Sequence, residues 1–478
     1  MKKILFVGSE AMPFAATGGL GDVLSSLPLA LAERSTGEAE VSVIMPLYSS
    51  ISDFWRQKMC FELSFEISLS WRRLYCGIFS LDHKGVRYYF VDNEYYFRRG
   101  QLYGEYDDGE RFAFFCKAVM EFILRSDLKP DILHAHDWQS ALCNVYYACK
   151  YKHLYKMSTV FTIHNIEYQG KYSMSILGDV FDLGMSEKGI VEYDGCINLM
   201  KAAIECSDKV TTVSPRYAEE IMTPEYSSGL SGILQKYAFK VCGILNGIDF
   251  DYYDPENDVS IEKAYGKENA LTGKSESKLF LQKKLSLPER KDVTMISIIS
   301  RLVSHKGLDL VTEIAQRLVE RDIQFVVLGR GSERYESFFS ELERQNPSKV
   351  RAIIDYNRDL AKQIYAASDI FVMPSRSEPC GLSQMIASRY GSIPIVHAVG
   401  GLYDSIKDFE FGENTLDGNG FAIKNYSSQE LLDKIYTAIF LLENGDLREK
   451  MTEKIMSVDF SFAQSAEKYL WLYRELWG

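Results

Sequence analysis

The sequence has few of the residues and spacings typical of secreted, membrane-spanning or metal-dependent proteins. Its nine cysteines are an odd number without a C-x-x-C pair, which disfavours a disulfide framework and favours reduced thiols in the cytoplasm. No stretch approaches the roughly 18 uninterrupted apolar residues of a membrane span. The seven histidines include no H-x-x-x-H pair, so we expect no metal centre.

The charge and two missing glycine motifs exclude further classes of protein. A formal net charge of −12 disfavours nucleic acid and anionic membranes as partners, because both would be repelled. Neither G-x-G-x-x-G nor G-x-x-x-x-G-K-[ST] occurs, which disfavours a dehydrogenase and a P-loop nucleotidase. The N-terminal M-K-K-I-L-F-V-G has too short an apolar run for a signal peptide and predicts a buried first strand.

Two series of apolar, β-branched runs predict two large domains, since 478 residues exceed what one core usually organises. The runs lie at 4–7, 41–45, 131–133, 158–163, 209–213 and 241–245, and then at 293–299, 325–328, 351–354, 370–373 and 393–396. Amphipathic helical patterns, such as Val23–Glu33 and Glu110–Leu124, lie between several of them. The alternation predicts an α/β fold with two doubly wound parallel sheets.

The polar, turn-rich segment N-G-I-D-F-D-Y-Y-D-P-E-N-D predicts the domain boundary. We place the first domain at 1–243 and the second at 244–456. The apolar spacing of the final stretch predicts a helix within 457–478, whose apolar face returns to the first domain.

Two charged segments follow strand-like runs of the second series and precede helical patterns. S-R-L-V-S-H-K-G at 300–307 contains Arg301 and Lys306, and P-S-R-S-E-P-C-G-L at 374–382 contains Glu378. Two cations beside a helix start favour a diphosphate. A carboxylate would repel that diphosphate, so Glu378 is better suited to accept hydrogen bonds from sugar hydroxyls. The segments together predict a nucleotide-sugar site at the strand ends.

Two glycine loops are candidates for binding phosphate. In T-G-G-L-G-D at 17–22, Gly18 and Gly19 allow close approach of a ligand to a helix start. In V-G-G-L-Y-D-S at 399–405, Gly400 and Gly401 open another helix, and we expect their amides to be free. A tight turn without a ligand is the alternative for the first loop.

Two histidine motifs lie at strand ends. In H-A-H-D-W at 134–138, we expect His134 and His136 to project to one side and Asp137 to the other, at a substrate-facing edge. F-T-I-H-N at 161–165 places His164 similarly. A metal site is disfavoured for lack of further ligands, and a purely structural histidine stays open as the alternative.

Taken together, the chain resembles the bacterial and plant glycogen and starch synthases over essentially its whole length. The resemblance lies in P-F-x-x-T-G-G-L-G-D-V, D-N-E-Y-Y-F, Y-D-D-G-E-R-F-A-F-F, H-A-H-D-W-Q-S-A-L, F-T-I-H-N-I-E-Y-Q-G, D-K-V-T-T-V-S-P, G-I-L-N-G-I-D, S-R-L-x-x-x-K-G-L-D and E-P-C-G-L-S-Q. The family implies a GT-B architecture, with two Rossmann-like domains and a deep interdomain cleft. It also implies retaining transfer of glucose from ADP-glucose to the non-reducing end of an α-1,4-glucan, EC 2.4.1.21, without a cofactor.

The resemblance also implies roles for individual residues. It assigns the donor diphosphate to Arg301 and Lys306, and the glucose hydroxyls to Glu378. The transferred sugar would contact Asp137, His164 and Asn246, and adenine would lie against Tyr356. The remaining substrate-binding residues that it implies are Thr17, Gly18, Gly19 and Asp22 in the first loop, Cys380, Gly381 and Leu382 after Glu378, and Gly400 and Gly401 in the second loop.

The chain departs from the family pattern where a lysine normally precedes T-G-G-L, since this position is Ala16. Threonine normally precedes the second G-G-L, and here it is Val399. These changes favour two alternatives: a catalytically weak or inactive glucan-binding paralogue, or a GT-B enzyme with a different nucleotide-sugar donor. The sequence leaves ADP- or UDP-glucose, and a monomer or homo-oligomer, open.

Overall fold

The computed structural model describes residues 1–412 and 415–477, and these form two compact units. Unit 1 comprises Met1–Gly247 and the C-terminal segment from Phe462, and unit 2 comprises Ile248–Ser461. Among the described residues, no helix combines the length and apolar character needed to cross a membrane.

Unit 1 is built on a large mixed sheet. Its strands are β1 (Lys2–Val7), β2 (Ala39–Pro46), β3 (Cys60–Leu69), β4 (Arg72–His83), β5 (Val86–Asp92), β6 (Ile132–His136), β7 (Ser158–Ile163), β8 (Lys171–Ser173), β9 (Glu192–Tyr193), β10 (Cys196–Asn198), β11 (Lys209–Thr212) and β12 (Val241–Gly243). The described strands of the main sheet have the order β12-β11-β7-β6-β1-β2-β5-β4-β3, and β8, β10 and β9 form a small sheet. The strand order reverses between β1 and β6, which are parallel and pair Val7 with Ala135.

The helices of unit 1 connect these strands, as expected for a doubly wound fold. They are α1 (Gly19–Arg34), α2 (Asp53–Arg56), α3 (Glu94–Phe97), α4 (Asp108–Arg125), α5 (Asp137–Tyr146), α6 (Lys188–Val191), α7 (Leu199–Cys206), α8 (Pro215–Glu220) and α9 (Ser231–Lys236). Helix α5 continues into a π-helical turn, Tyr147–Tyr151. The core of the unit includes residues 4–7 of β1 and all of β6. The continuous apolar run at 4–7 agrees with a strand that is covered on both faces.

Unit 2 has a parallel sheet with helices between its strands. The strands are β13 (Thr294–Ile299), β14 (Ile323–Leu328), β15 (Val350–Ile353), β16 (Ile370–Met373), β17 (Ile393–His397), β18 (Glu410–Phe411), β19 (Leu416–Asp417) and β20 (Phe421–Ile423). The helices are α10 (Ala270–Lys284), α11 (Leu308–Val319), α12 (Glu333–Gln345), α13 (Arg358–Ala367), α14 (Ser383–Arg389), α15 (Gly400–Ser405), α16 (Ser428–Leu442) and α17 (Gly445–Met456). The main sheet has the order β15-β14-β13-β16-β17-β20.

The last helix, α18 (Phe462–Trp477), packs within unit 1 against α1. Its buried face includes Tyr469 and Tyr473, which follow the helical spacing seen in the sequence. Ser465 Oγ donates a hydrogen bond of 2.6 Å to the Leu245 carbonyl. The helix starts at Phe462 rather than at 457, and Gly478 lies outside the described residues.

Every predicted apolar run overlaps a strand, but one part of the main sheet of unit 1 was not predicted. Strands β3, β4 and β5 form an antiparallel meander in which β4 pairs with both neighbours. The expectation of a wholly parallel sheet is therefore wrong for this edge. Strand β3 alternates exposed and partly buried residues, so it lacks a continuous apolar run.

Candidate active site

In unit 2, the charged residues selected from the sequence follow strands on either side of the point where the strand order reverses. Arg301 and Lys306 follow β13, and Glu378 follows its parallel neighbour β16. In doubly wound sheets, the connections after such strands diverge to opposite faces and leave a crevice at the carboxyl ends, where ligands bind. These three side chains therefore lie where the topology favours a ligand.

Gly307 allows the loop after β13 to approach the loop after β16 closely. Its φ is 71°, and a Cβ added to it would lie 1.9 Å from the carbonyl oxygen of Pro374, in the loop after β16. Only glycine combines this left-handed backbone with such a close approach. Because the 3-10 turn Ser304–Lys306 ends at this glycine, Lys306 is held next to Glu378.

Lys306 and Glu378 form an ion pair with each other. The Lys306 Nζ to Glu378 Oε2 distance is 2.6 Å, and the two side chains are 15% and 8% exposed. Ser375 Oγ donates a second hydrogen bond, of 3.0 Å, to the same carboxylate oxygen. An ammonium group has three N–H donors, so this contact leaves two for a ligand. The pair also offsets the repulsion that an isolated carboxylate would exert on a phosphate.

The backbone that follows Glu378 is held by a buried amide side chain. Gln384 Nε2 donates hydrogen bonds to the carbonyls of Cys380, at 3.2 Å, and Gly381, at 2.8 Å. Gly381 has a left-handed backbone, and Leu382 immediately precedes α14. Gln384 therefore fixes the path of the segment predicted to contact the sugar, although no separate sequence signal indicates this role.

The second glycine loop supports Glu378 rather than offering free amides. The amide of Gly401 donates a 3.1 Å hydrogen bond to the Glu378 carbonyl. Gly400 and Gly401 are both buried at the start of α15, and Gly400 also has an interaction partner. The expectation of a free amide is therefore wrong for Gly401.

Arg301 and Tyr356 are both exposed at the carboxyl edge of the sheet of unit 2. In the described part of the chain, the Arg301 guanidinium has no hydrogen-bond or ion-pair partner. Tyr356 follows β15, is 68% exposed, and accepts a 2.9 Å hydrogen bond from Arg358 Nε. Arg301 thus offers its full set of donors to an anion, and Tyr356 offers an open aromatic face.

In unit 1, Glu10 anchors the first glycine loop. Its Oε2 accepts hydrogen bonds from the Thr17 amide, at 2.6 Å, and from Thr17 Oγ1, at 2.9 Å. Burial raises the pKa of Glu10, although the bonds from Thr17 oppose this effect. The sequence did not identify Glu10, and it assigned Thr17 directly to the ligand. Both donors of Thr17 are engaged within the protein, and its contact with a ligand stays a prediction.

Gly18 and Gly19 are exposed at the start of α1. A Cβ at Gly18 would meet nothing within 4 Å, and its φ of −163° is open to any residue. Neither packing nor backbone conformation therefore requires glycine at 18, which favours approach of a ligand to the backbone as the reason for it. Asp22 lies in the first turn of α1, half-buried.

Asp137 occupies a strained position at the carboxyl end of β6. It has a φ of 58°, which is uncommon for a residue other than glycine and is concentrated at functional sites. Its Oδ1 accepts a 2.8 Å hydrogen bond from the amide of His164, which follows the neighbouring strand β7. Burial raises the pKa of Asp137 to about 7 against the effect of its backbone hydrogen bonds, and Glu10 adds a smaller rise.

The histidines of the two motifs occupy different environments. His134 and His136 are fully buried, so the expectation that they face a substrate is wrong, whereas His164 is half-buried. His136 Nδ1 and His164 Nε2 are 2.9 Å apart. Burial lowers the pKa of His164 to about 3, so the imidazole is neutral.

Asn246 has an unused buried acceptor after β12. The residue is 5% exposed, and its Oδ1 has no hydrogen-bond partner among the described residues. An unpaired buried amide oxygen is costly and is expected to be satisfied by a water molecule or a ligand. This observation fits the expected contact between Asn246 and a sugar hydroxyl. No group of three or more metal-ligating side chains occurs in the described residues.

Comparison with known proteins agrees with this arrangement. One family model, the starch synthase catalytic domain, matches residues 3–236, and another, glycosyl transferases group 1, matches residues 280–457. The catalytic domain of starch synthase IV from Arabidopsis thaliana, solved bound to ADP and acarbose, has a TM-score of 0.90 and 35% identity. The comparison covers 100% of this chain and 99% of that one. The chain is therefore a glycosyltransferase with the GT-B fold.

Sequence relatives define the family more closely. A glycogen synthase of Exiguobacterium sibiricum is 44% identical over 99% of this chain and 98% of the relative. A glycogen synthase of Geobacillus thermodenitrificans is 43% identical, with the same coverage of both chains. The chain belongs to the glycogen synthase family. The family, fold class and enzyme class predicted from the sequence are confirmed.

Proposed function

We propose that this protein transfers glucose from ADP-glucose to the non-reducing end of an α-1,4-glucan, with retention at the anomeric carbon. The observation that carries the proposal is the Lys306–Glu378 pair of 2.6 Å, in the same segment as Arg301, which has no partner in the described part of the chain. Together these residues combine phosphate donors with a hydroxyl acceptor. The Arabidopsis relative was solved with ADP and acarbose, which supports an adenine nucleotide and a glucan-like acceptor.

The donor diphosphate binds Arg301 and the remaining N–H groups of Lys306 in this proposal. A guanidinium matches two phosphate oxygens at once. That of Arg301 is exposed and has no partner among the described residues, so it is free to bind in this way. Both cations stabilise the negative charge that develops on the departing ADP. These cations supply the charge stabilisation that a metal ion gives in other transferases, so we propose that no metal cofactor is required. Adenine packs on the open face of Tyr356.

The transferred glucose is bound through its hydroxyl groups. Glu378 accepts hydrogen bonds from them, and the adjoining backbone of Cys380, Gly381 and Leu382 completes the contact in unit 2. In unit 1, Asp137, His164 and Asn246, whose Oδ1 has no partner among the described residues, are the groups suited to bind sugar hydroxyls. Gly18, Gly19 and Asp22 belong to the donor loop, and Thr17 supports that loop through Glu10.

Retention follows if the acceptor hydroxyl attacks on the face that the phosphate leaves. The bond from the anomeric carbon to the phosphate oxygen breaks, the bond to the acceptor oxygen forms, and the acceptor proton passes to the departing phosphate. Glu378 is poorly suited as a nucleophile because its Oε2 already accepts two hydrogen bonds, from Lys306 and Ser375.

Ala16 favours a second candidate, a catalytically weak glucan-binding paralogue, because the loop lacks one cation. A donor other than ADP-glucose is a further alternative. The test is incorporation of labelled glucose into glycogen by the purified protein, from ADP-glucose and UDP-glucose in parallel, with and without EDTA. Transfer from ADP-glucose that survives EDTA supports the proposal. Preference for UDP-glucose would correct the donor, and binding of glycogen without transfer would support the paralogue.

We further propose the cytoplasm as the compartment. All nine cysteines are free thiols in the structure, and Cys76, Cys116 and Cys143 are buried away from oxidants. Reduced thiols are typical of that compartment.

A further inference from the structure

The ring of His136, at the carboxyl end of β6, packs against two other aromatic rings. Its centroid lies 4.2 Å from that of His134 and 5.3 Å from that of Phe6, with interplanar angles of 30° and 20°. His136 is 0% exposed. The ring therefore has little freedom to turn, and its two nitrogens have fixed surroundings.

Within residues 1–412 and 415–477, only one of these nitrogens has a hydrogen-bond partner. Nδ1 of His136 lies 2.9 Å from Nε2 of His164, and Nε2 of His136 is buried without a partner among the described residues. Burial lowers the pKa of both histidines, so each ring is neutral and carries one proton. The single hydrogen bond can thus run in either of two directions.

The unpaired nitrogen decides between the two directions. If His164 Nε2–H donates, the proton of His136 must be on Nε2, which leaves a buried N–H group without an acceptor. If His136 Nδ1–H donates, the unpaired Nε2 is only an acceptor. Orphaned buried N–H donors are rarer than under-satisfied acceptors in folded proteins. The second direction is favoured.

We propose that His136 is a positioning residue that donates from Nδ1 to His164 and thereby holds His164 in the tautomer protonated at Nδ1. In the described residues, Nδ1 of His164 has no hydrogen-bond partner, and this nitrogen is accessible to solvent. His164 therefore presents an N–H donor outward. With the proposed function, on which this step rests, that donor binds a hydroxyl oxygen of the transferred glucose.

The C-terminal helix contributes to the same arrangement. Both nitrogens of His134 are engaged, with Nδ1 at 2.7 Å from Tyr473 Oη and Nε2 at 2.6 Å from Thr162 Oγ1. A histidine with two partners is fixed in position, and it stacks directly on His136. Tyr473 on α18 therefore helps to keep the His136 ring aligned with His164.

The tautomer can be measured directly in the ligand-free, full-length protein. Two-bond ¹H–¹⁵N correlation spectra of histidine-labelled protein at pH 7.5 distinguish protonated Nδ1 from protonated Nε2, and the His164 signals are those lost in His164→Gln. We expect protonated Nδ1 and bare Nε2. Protonated Nε2, or an exchanging mixture of the two tautomers, would overturn the inference.

Substitution at 136 tests whether this residue sets the tautomer. His136→Phe keeps the stacked ring but removes the donor, so we expect the fixed pattern of His164 to be lost and glucosyl transfer to fall roughly two- to tenfold. His136→Asn can place an amide N–H near the position of Nδ1 and should retain the pattern. His153→Phe is the matched control, since His153 is exposed and its ring makes no hydrogen bond or ring contact in the described residues.

An unchanged His164 pattern in His136→Phe would overturn the role of His136. If that variant does not fold, the wild-type spectrum still decides the tautomer. The proposed function is tested separately. Absence of transfer from any nucleotide sugar would refute that function, and the spectrum of the free protein would still show whether His136 sets the tautomer of His164. Normal transfer together with protonated Nε2 would refute this inference alone.

Discussion

Replacing Glu378 by Gln should have opposite effects on ADP binding and on glucosyl transfer. The glutamine keeps an oxygen that accepts from Lys306 Nζ and Ser375 Oγ, which lie 2.6 and 3.0 Å from Glu378 Oε2. It removes the negative charge that repels the diphosphate and partly neutralises Lys306. ADP should therefore bind more tightly, whereas transfer should fall because an amide oxygen is a weaker acceptor for sugar hydroxyls.

The size of the effect on ADP follows from the position of the charge. A phosphate bound to the free N–H groups of Lys306 would lie about 6 Å from the carboxylate, where two unit charges interact by about 0.7–2.8 kcal/mol at effective dielectric constants of about 80 to 20. ADP affinity should therefore rise by roughly three- to hundredfold. The loss of a charge-assisted hydrogen bond to glucose, about 1.5–3 kcal/mol, should lower kcat/KM by roughly ten- to hundredfold.

Titration calorimetry with ADP and a glucose-incorporation assay measure these two quantities on the same protein. Glu341→Gln is the matched control, because Glu341 forms an exposed pair with Arg344 at 2.6 Å. That variant should change neither quantity. Unchanged or weaker ADP binding in Glu378→Gln, with the protein folded, would refute the assignment of Lys306 to the phosphate. Undiminished transfer would refute the assignment of Glu378 to the sugar.

Three further substitutions test other parts of the site. Arg301→Ala should lower kcat/KM roughly ten- to hundredfold. The midpoint of urea unfolding should not change, since the exposed guanidinium has no partner in the described residues. A lower midpoint would show a structural role instead. The pKa of Asp137 is raised to about 7 from an ordinary 3.8, so the folded state binds more protons than the unfolded state between these values. The free energy of unfolding should therefore fall by on the order of 1–4 kcal/mol as the pH rises from about 4 to 7. Urea unfolding of Asp137→Asn should lack this dependence, and an identical pH profile would contradict it. Ala16→Lys should raise kcat/KM by about ten- to hundredfold if the missing cation limits transfer. Ala16→Met, which adds length without charge, should not raise it. An equal rate in both variants would show that residues elsewhere compensate.

The sequence predicted the sheet strands that are buried on both faces, because these appear as continuous apolar runs. The run at 4–7, for example, is the buried part of β1, and the run at 370–373 is the fully buried strand β16. The meander β3–β5 was missed because its edge strand is largely exposed and alternates apolar with polar residues. A search for the period of two over 60–92 would have found it.

The residues at strand ends could be predicted, but their mutual contacts could not. Motif position alone placed Arg301, Lys306 and Glu378 after β13 and β16. Whether a lysine faces a ligand or a neighbouring carboxylate depends on the close approach of two loops, which in turn depends on Gly307 and the Pro374 carbonyl. Similarly, the alternation of β6 indicated that His134 and His136 share a side, but not that this side is covered by α18.

The contacts of Glu10 bear on how Ala16 affects the enzyme. The loop that carries Gly18 and Gly19 is tied to the segment after β1 by two hydrogen bonds from Thr17 to Glu10, and neither involves the side chain at 16. The Cβ of Ala16 already lies against Gly21, and a longer side chain would share that same Cβ position. The substitution therefore removes one positive charge while leaving the geometry of the loop intact. Since Arg301, Lys306 and Glu378 are all present in unit 2, a working enzyme with a weaker hold on its donor is favoured over an inactive paralogue.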